Sequence, residues 1–212
     1  MFGTHDLALF VVSCVLLNIT PGADTLFVAT RSASQGLKAG VAAALGIGSG
    51  CLVHVLAAAV GLSAVLAASS WAFTLMKYVG AAYLVYIGLS FLFKKDKPAA
   101  ASAAQTPTTT ATTPLPLVWR QGFLTNVLNP KVALFFLAFM PQFIDAAAPH
   151  KALAFILLGA IFTCTGTLWC ICVAWLSARL RSLQVGRGVV RWPERVVGGL
   201  FVALGIRLAV TD

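Results

Sequence analysis

Charge is what this chain has least of: Asp, Glu, Lys and Arg make up 10% of its 212 residues, against roughly a quarter in an ordinary soluble domain. A soluble fold of this length could bury a good core, but it would still need a charged surface, and this chain cannot supply one. Cysteine is scarce too. Cys14, Cys51, Cys164, Cys170 and Cys172 lie inside apolar runs, are odd in number and form no C-x-x-C pair. That excludes a disulfide framework or a zinc site and leaves them as small packing residues. Neither a metal nor a cofactor is implied. No G-x-x-x-x-G-K motif offers a phosphate-binding loop for ATP. Nothing basic precedes the first apolar run, which is too long for a cleaved signal peptide and reads as a retained first helix.

What is present is apolar: 59% of the residues are hydrophobic and the mean hydropathy is +0.92. The solvent that fits is a bilayer, where every backbone polar group must be satisfied inside helices or a closed barrel. Long continuous runs, rather than alternation, favour helices. Six runs are long enough to be spans, over 7–30, 41–68, 71–93, 123–144, 152–178 and 196–210, the last being short. The net charge of +9 in a soluble protein would suggest nucleic acid. Here the basic residues stand in the gaps, which points to topology and anionic lipid and away from nucleic acid. The gaps after the first, third and fifth spans hold Arg31, Lys38, Lys94, Lys95, Lys97, Arg120, Arg179, Arg181, Arg187, Arg191 and Arg195. These gaps are therefore expected on the inside and both termini on the outside. Lys77 and Arg207 are placed to snorkel to the outer face.

The stretch from Lys94 to Pro116 is a Lys cluster followed by Ala, Thr and Pro, with nothing to order it. It divides the chain into a first repeat (1–93), a flexible linker (94–119) and a second repeat (120–212). Three spans per half make the halves inverted relative to each other. The expected fold is thus an all-α polytopic membrane protein of six transmembrane helices in two inverted three-helix repeats. Weak internal similarity agrees. Asn18-Ile19-Thr20-Pro21-Gly22 leading to Leu26-Phe27-Val28 matches Asn126-Val127-Leu128-Asn129-Pro130-Lys131 leading to Leu134-Phe135-Phe136. Val85-Tyr86-Ile87-Gly88-Leu89 likewise matches Val202-Ala203-Leu204-Gly205-Ile206.

Pro21 and Pro130 fall inside spans. A mid-helix proline removes a hydrogen bond and frees a carbonyl one turn earlier, and in lipid that carbonyl must find protein, water or substrate. Paired interruptions in two halves are the sequence pointer to a transporter's central site, whose half-helix ends offer N–H groups to a carboxylate and carbonyls to a cation. The candidate substrate-binding residues are Asn18, Thr20, Pro21, Gly22, Asp24, Asn126, Asn129, Pro130 and Lys131. Asp24 and Lys131 each cost about 2.5–3.5 kcal/mol near the bilayer centre unless they pair or face a wet cavity. His54, mid-span, is with Asp24 a candidate for proton coupling, its alternative being a bonded packing residue. Gly46 with Gly50, and Ala57 with Gly61, have the spacing that lets helices approach closely.

Together with Gly36-Leu37-Lys38-Ala39-Gly40 and the run from Gly80 to Gly88, the motifs around Pro21 and Pro130 resemble the lysine exporter / homoserine–threonine exporter (LysE/RhtB) family over nearly the whole chain. The resemblance implies a non-enzymatic secondary transporter that exports amino acids across the bacterial inner membrane using the proton gradient. Its partners would be a small amino acid, protons and membrane lipids, with a homo-oligomer permitted. The family's first motif reads P-G-P-D, and Ala23 stands here for its second proline. The alternative is a membrane thiol–disulfide electron relay of related six-helix design. That chemistry needs cysteines beside both prolines, and the fourth span has none.

Overall fold

The computed structural model describes residues 2–64, 112–145 and 147–180, with seven helical positions between 71 and 89. The expected span 196–210, the rest of 71–93 and most of the linker lie outside the described residues. Within them the chain is helical apart from short connections and one antiparallel bridge between Thr4 and Ile144.

Helix α1 (Leu7–Ile19) and helix α2 (Ala23–Gln35) meet at a 52° bend. Gly36, at φ 87°, turns the chain into α3 (Leu37–Ala57), which runs on through a π-helical turn, Ala58–Leu62. Helix α4 (Leu115–Val127) and helix α5 (Pro130–Leu134) flank the second break, and α5 continues through a π-helical turn, Phe135–Phe139, and a 3-10 turn, Met140–Phe143. That second pair is bent by 45°. Last comes α6 (Lys151–Leu180).

The Leu37–Leu62 helix has 26 residues and α6 has 30. At about 1.5 Å per residue they reach roughly 39 and 45 Å, more than the ~30 Å hydrocarbon core. Counting each bent pair as one span gives up to four among the described residues, matching the expected spans 7–30, 41–68, 123–144 and 152–178. Their outward faces carry Leu52, Leu56, Val60, Leu168 and Leu176 in the open, a surface that lipid accepts and water does not. The chain is a multi-pass membrane protein.

Sequence and structure part at the start of α4. Its first residues, Leu115 to Trp119, lie in the stretch read as linker. Pro114 precedes the helix and Pro116 sits in its first turn, where a missing N–H does no harm. The Pro114 carbonyl accepts from Leu117 and Val118 at 3.0 and 3.1 Å.

Glycine sets how closely α3 and α4 approach. A Cβ on Gly50 would stand 2.6 Å from the Phe123 carbonyl oxygen and one on Gly122 2.5 Å from that of Ala43, while one on Gly46 would overlap the Trp119 carbonyl. The first small-residue spacing is thus a packing seam, whereas among the described residues nothing lies within 4 Å of a Cβ on Gly61. Helix α6 packs across α1, α2 and α3, held partly by the Ser32 hydroxyl donating to the Ala174 carbonyl at 2.5 Å. At the basic end, Arg31 reaches from α2 to Gln121 (2.7 Å) and Thr113 (3.2 Å). At the opposite end the N-terminal strap bonds to the residues after the second bent pair: His5 N–H donates to the Phe143 carbonyl (3.1 Å), and Asp145 N–H to that of Gly3 (2.8 Å). Beneath it packs an aromatic cluster, with Phe10 against Phe143 and Phe135 against Phe162.

Candidate functional site

The two proline breaks meet inside the bundle. Pro21 has no N–H for the Leu17 carbonyl four residues earlier, and Pro130 has none for that of Asn126. Each freed carbonyl is held from another element. The Lys131 ammonium donates to the Leu17 oxygen at 2.8 Å and to the Thr20 oxygen at 3.1 Å. It places a cation at the C-terminal end of α1, where the helix dipole favours one. His54 Nε2 lies 3.1 Å from the Asn126 oxygen, which also accepts from Asn129 N–H at 2.9 Å. Since a carbonyl only accepts, the His54 proton sits on Nε2. Its ring stacks on Phe136 at 5.8 Å.

The opposing helix ends are finished by side chains. Asp24 occupies the first turn of α2, the favourable end for an acid. Asn129 caps α5, its Oδ1 accepting from Lys131 N–H at 3.0 Å, as an N-cap residue should. The halves are joined directly by Asn126 Nδ2 donating to Asp24 Oδ2 at 2.8 Å. Asn18 Nδ2 donates to Thr165 Oγ1 on α6 at 3.2 Å. Gly166 makes room for it, because a Cβ there would stand 3.1 Å from Asn18 Oδ1.

Between these elements lies a cavity of about 40 Å³, space for two or three water molecules at roughly 15 Å³ of probe volume each. Its wall includes Ile47, Gly48 and Cys51 of α3 and Phe162, Thr163, Gly166, Thr167, Trp169 and Cys170 of α6, near the middle of both long helices. Of the expected site residues, Asn18, Gly22, Asp24, Asn126, Asn129 and Lys131 line it. Thr20, Pro21 and Pro130 do not. The Thr20 hydroxyl turns back to the Leu16 carbonyl at 2.8 Å, and Pro130 is exposed. His54 stands outside the lining, behind Asn126.

One expectation needs correction: the freed carbonyls are not open to a ligand, because Lys131 and His54 occupy them. Of the two ways of tolerating Asp24 and Lys131, pairing or facing a polar cavity, the described residues have the second: both line the cavity, each held by neutral groups, with no ion pair between them. What sequence reasoning missed is the contribution of α6: Thr163, Thr167 and Trp169 line the cavity, and Thr163 donates to the Cys51 sulfur at 3.2 Å. The signal was available in Thr163-Cys164-Thr165-Gly166-Thr167-Leu168-Trp169, a cluster of polar groups inside an apolar run. Among the described residues, three buried side-chain atoms have no hydrogen-bond partner: Asp24 Oδ1, Asn126 Oδ1 and Trp169 Nε1. All three residues line this cavity.

Comparison with known proteins points to the same class. The model of the LysE type translocator family matches residues 15–212. An uncharacterised membrane protein of Pseudomonas aeruginosa is 32% identical over 211 residues, covering 98% of this chain and 96% of its own. One from Bacillus subtilis is 30% identical over 210 residues, covering 98% and 100%. The leucine efflux protein of Salmonella typhimurium is 26% identical over 215 residues, covering 98% and 96%. No solved structure matches the chain.

Proposed function

Because the chain belongs to the LysE type translocator family, we propose that it works as a secondary transporter exporting amino acids from the bacterial cytoplasm, driven by the proton gradient across the inner membrane. Amino-acid export in general is supported by that family and by the leucine efflux relatives. The observation that carries the finer reading is the cavity half-way along α3 and α6, walled by both proline-broken pairs and holding unpartnered polar atoms.

An inverted repeat is supported by the way the described elements correspond. Each half contributes a broken pair followed by a long unbroken helix. Helix α3 packs on both segments of the second broken pair and α6 on both segments of the first. Rocking of one half against the other would then expose the cavity to each side in turn. An amino acid is larger than the present cavity, so loading goes with separation of its walls. Arg31, Lys38 and Arg179 belong to the basic end, which the positive-inside bias puts in the cytoplasm, with both termini in the periplasm.

Asn18, Asp24, Asn126, Asn129 and Lys131 provide the polar lining, and Gly22 lies beside the Lys131 side chain, which would stand 3.7 Å from a Cβ there, an ordinary contact. Asp24 is the carboxylate of that lining, so it is the group placed to exchange a proton for substrate. His54 acts from behind, through α4. The test is uptake into inverted vesicles. Labelled leucine should accumulate with an imposed pH gradient, collapse with a protonophore and ignore removal of ATP. Accumulation that follows ATP and ignores the protonophore would refute the reading.

A further inference from the structure

We infer that Trp169 is the specificity residue that reads the substrate's carboxylate, and that the site takes α-amino acids with an uncharged side chain. This deepens the proposed function and rests on it. The indole N–H is shut off from solvent, has no acceptor among the described residues and belongs to a residue lining the cavity. An indole N–H donates only, and leaving it buried and unmade is costly. The other two unpartnered atoms, Asp24 Oδ1 and Asn126 Oδ1, are acceptors.

One donor set against two acceptors fits a zwitterion: a carboxylate on the indole N–H, and an ammonium shared by Asp24 and Asn126. The Lys131 ammonium has three donors and places two of them on backbone carbonyls, which leaves one to face the same carboxylate. Asp24 and Lys131 are the only Asp, Glu, Lys or Arg residues in the described lining, and its remaining wall includes Leu17, Ile47, Val132 and Phe162. A charge on the substrate's side chain would find no counter-charge there, whereas an aliphatic one finds apolar contact.

Trp169→Phe keeps a ring and deletes the donor. It is compared with wild type in proteoliposomes by exchange of labelled leucine, with unlabelled leucine, isoamylamine (the same side chain and ammonium without the carboxylate) and lysine as competitors. Loss of a hydrogen bond to a charged group should raise the half-saturating leucine concentration roughly tenfold or more. Inhibition by isoamylamine should change less than twofold, and lysine should compete at least tenfold more weakly than leucine in the wild type. An unchanged leucine constant, or equal shifts for leucine and isoamylamine, would assign Trp169 to packing alone and overturn its role. Lysine competing as well as leucine would overturn the substrate class. If wild type exchanges no amino acid at all, the underlying function falls first. Should Trp169→Phe fail to reach the membrane, a variant with Trp169 as its sole tryptophan decides the matter by its emission. A shift on adding leucine but not isoamylamine supports the role, and no shift with either overturns it.

Discussion

Replacing Lys131 by Met removes the donor that holds the Leu17 and Thr20 carbonyls at 2.8 and 3.1 Å. Hydrogen bonds within membrane proteins average about 0.6 kcal/mol and reach about 1.7, so the two together are worth roughly 1–3 kcal/mol. The same substitution also lifts a charge-burial cost of about 2.5–3.5 kcal/mol. These effects oppose each other, and the stability change of the single variant decides nothing. The informative partner is Pro21→Ala, which restores an N–H for the Leu17 carbonyl and makes one of the two Lys131 bonds redundant. Lys131→Met should therefore be more favourable, or less unfavourable, by about 1 kcal/mol in the Pro21→Ala background than in wild type. Reversible unfolding by SDS titration in mixed micelles, run on wild type, both single variants and the double variant, measures that coupling. Costs that add within about 0.5 kcal/mol, the usual scatter for independent sites, would refute the claim that Lys131 replaces the bond the proline removes.

Three further outcomes are expected. Asp24→Asn should abolish proton-driven accumulation of leucine in vesicles at normal membrane abundance, since it removes the cavity's only carboxylate among the described residues; full transport by the variant would take Asp24 out of the mechanism. His54→Phe preserves a ring on Phe136 but leaves the Asn126 carbonyl without its side-chain donor. It should lower stability by about 1 kcal/mol while accumulation stays sensitive to a protonophore, and loss of that sensitivity would give His54 the coupling role. Gly46→Ala should cost about 1–3 kcal/mol or more through overpacking against the Trp119 carbonyl and reduce the yield of folded protein. Gly61→Ala, which meets nothing within 4 Å among the described residues, should stay within about 0.5 kcal/mol of wild type.

The two long helices and the two bent apolar pairs were legible because the bilayer imposes a length and a hydropathy that one sequence records without reference to any other part of the fold. The two breaks were legible for an equally local reason, since a proline cannot donate wherever it sits. Which side chains answer those breaks was not legible. Lys131 is 114 positions from Leu17 and His54 is 72 from Asn126, and nothing local records such contacts. The same limit explains Thr20, whose hydroxyl could have faced the cavity but bonds one turn back along its own helix. It also explains the two small-residue spacings in α3, which look alike in sequence although only the first meets a neighbouring backbone among the described residues. The start of α4 was misplaced for a chemical reason: proline is as much at home in a first helical turn as in a linker. Trp169 was overlooked because a tryptophan in an apolar run is usually packing, and only the missing partner for its N–H sets it apart.

The absence of a direct Asp24–Lys131 pair has a consequence for the proposed cycle. Two opposite charges in contact would satisfy each other, and a zwitterion would have to break that contact to enter. Here each charge is held by neutral dipoles instead, Lys131 by two carbonyls and Asp24 by one amide. The ammonium keeps a donor in reserve and Asp24 keeps Oδ1. Removing one member of a tight buried ion pair leaves an uncompensated charge and costs about 3–5 kcal/mol. Charges held apart by carbonyls and an amide avoid that cost when substrate arrives or leaves. The loaded site would gain two charge-to-charge contacts that the empty one lacks, and this difference is what a carrier needs if substrate is to shift its conformational equilibrium. Protonation of Asp24 would withdraw the acceptor facing the substrate's ammonium. Proton binding and amino-acid binding would then exclude each other at a single oxygen, so that proton entry goes with amino-acid release, which is the coupling an exporter driven by protons requires.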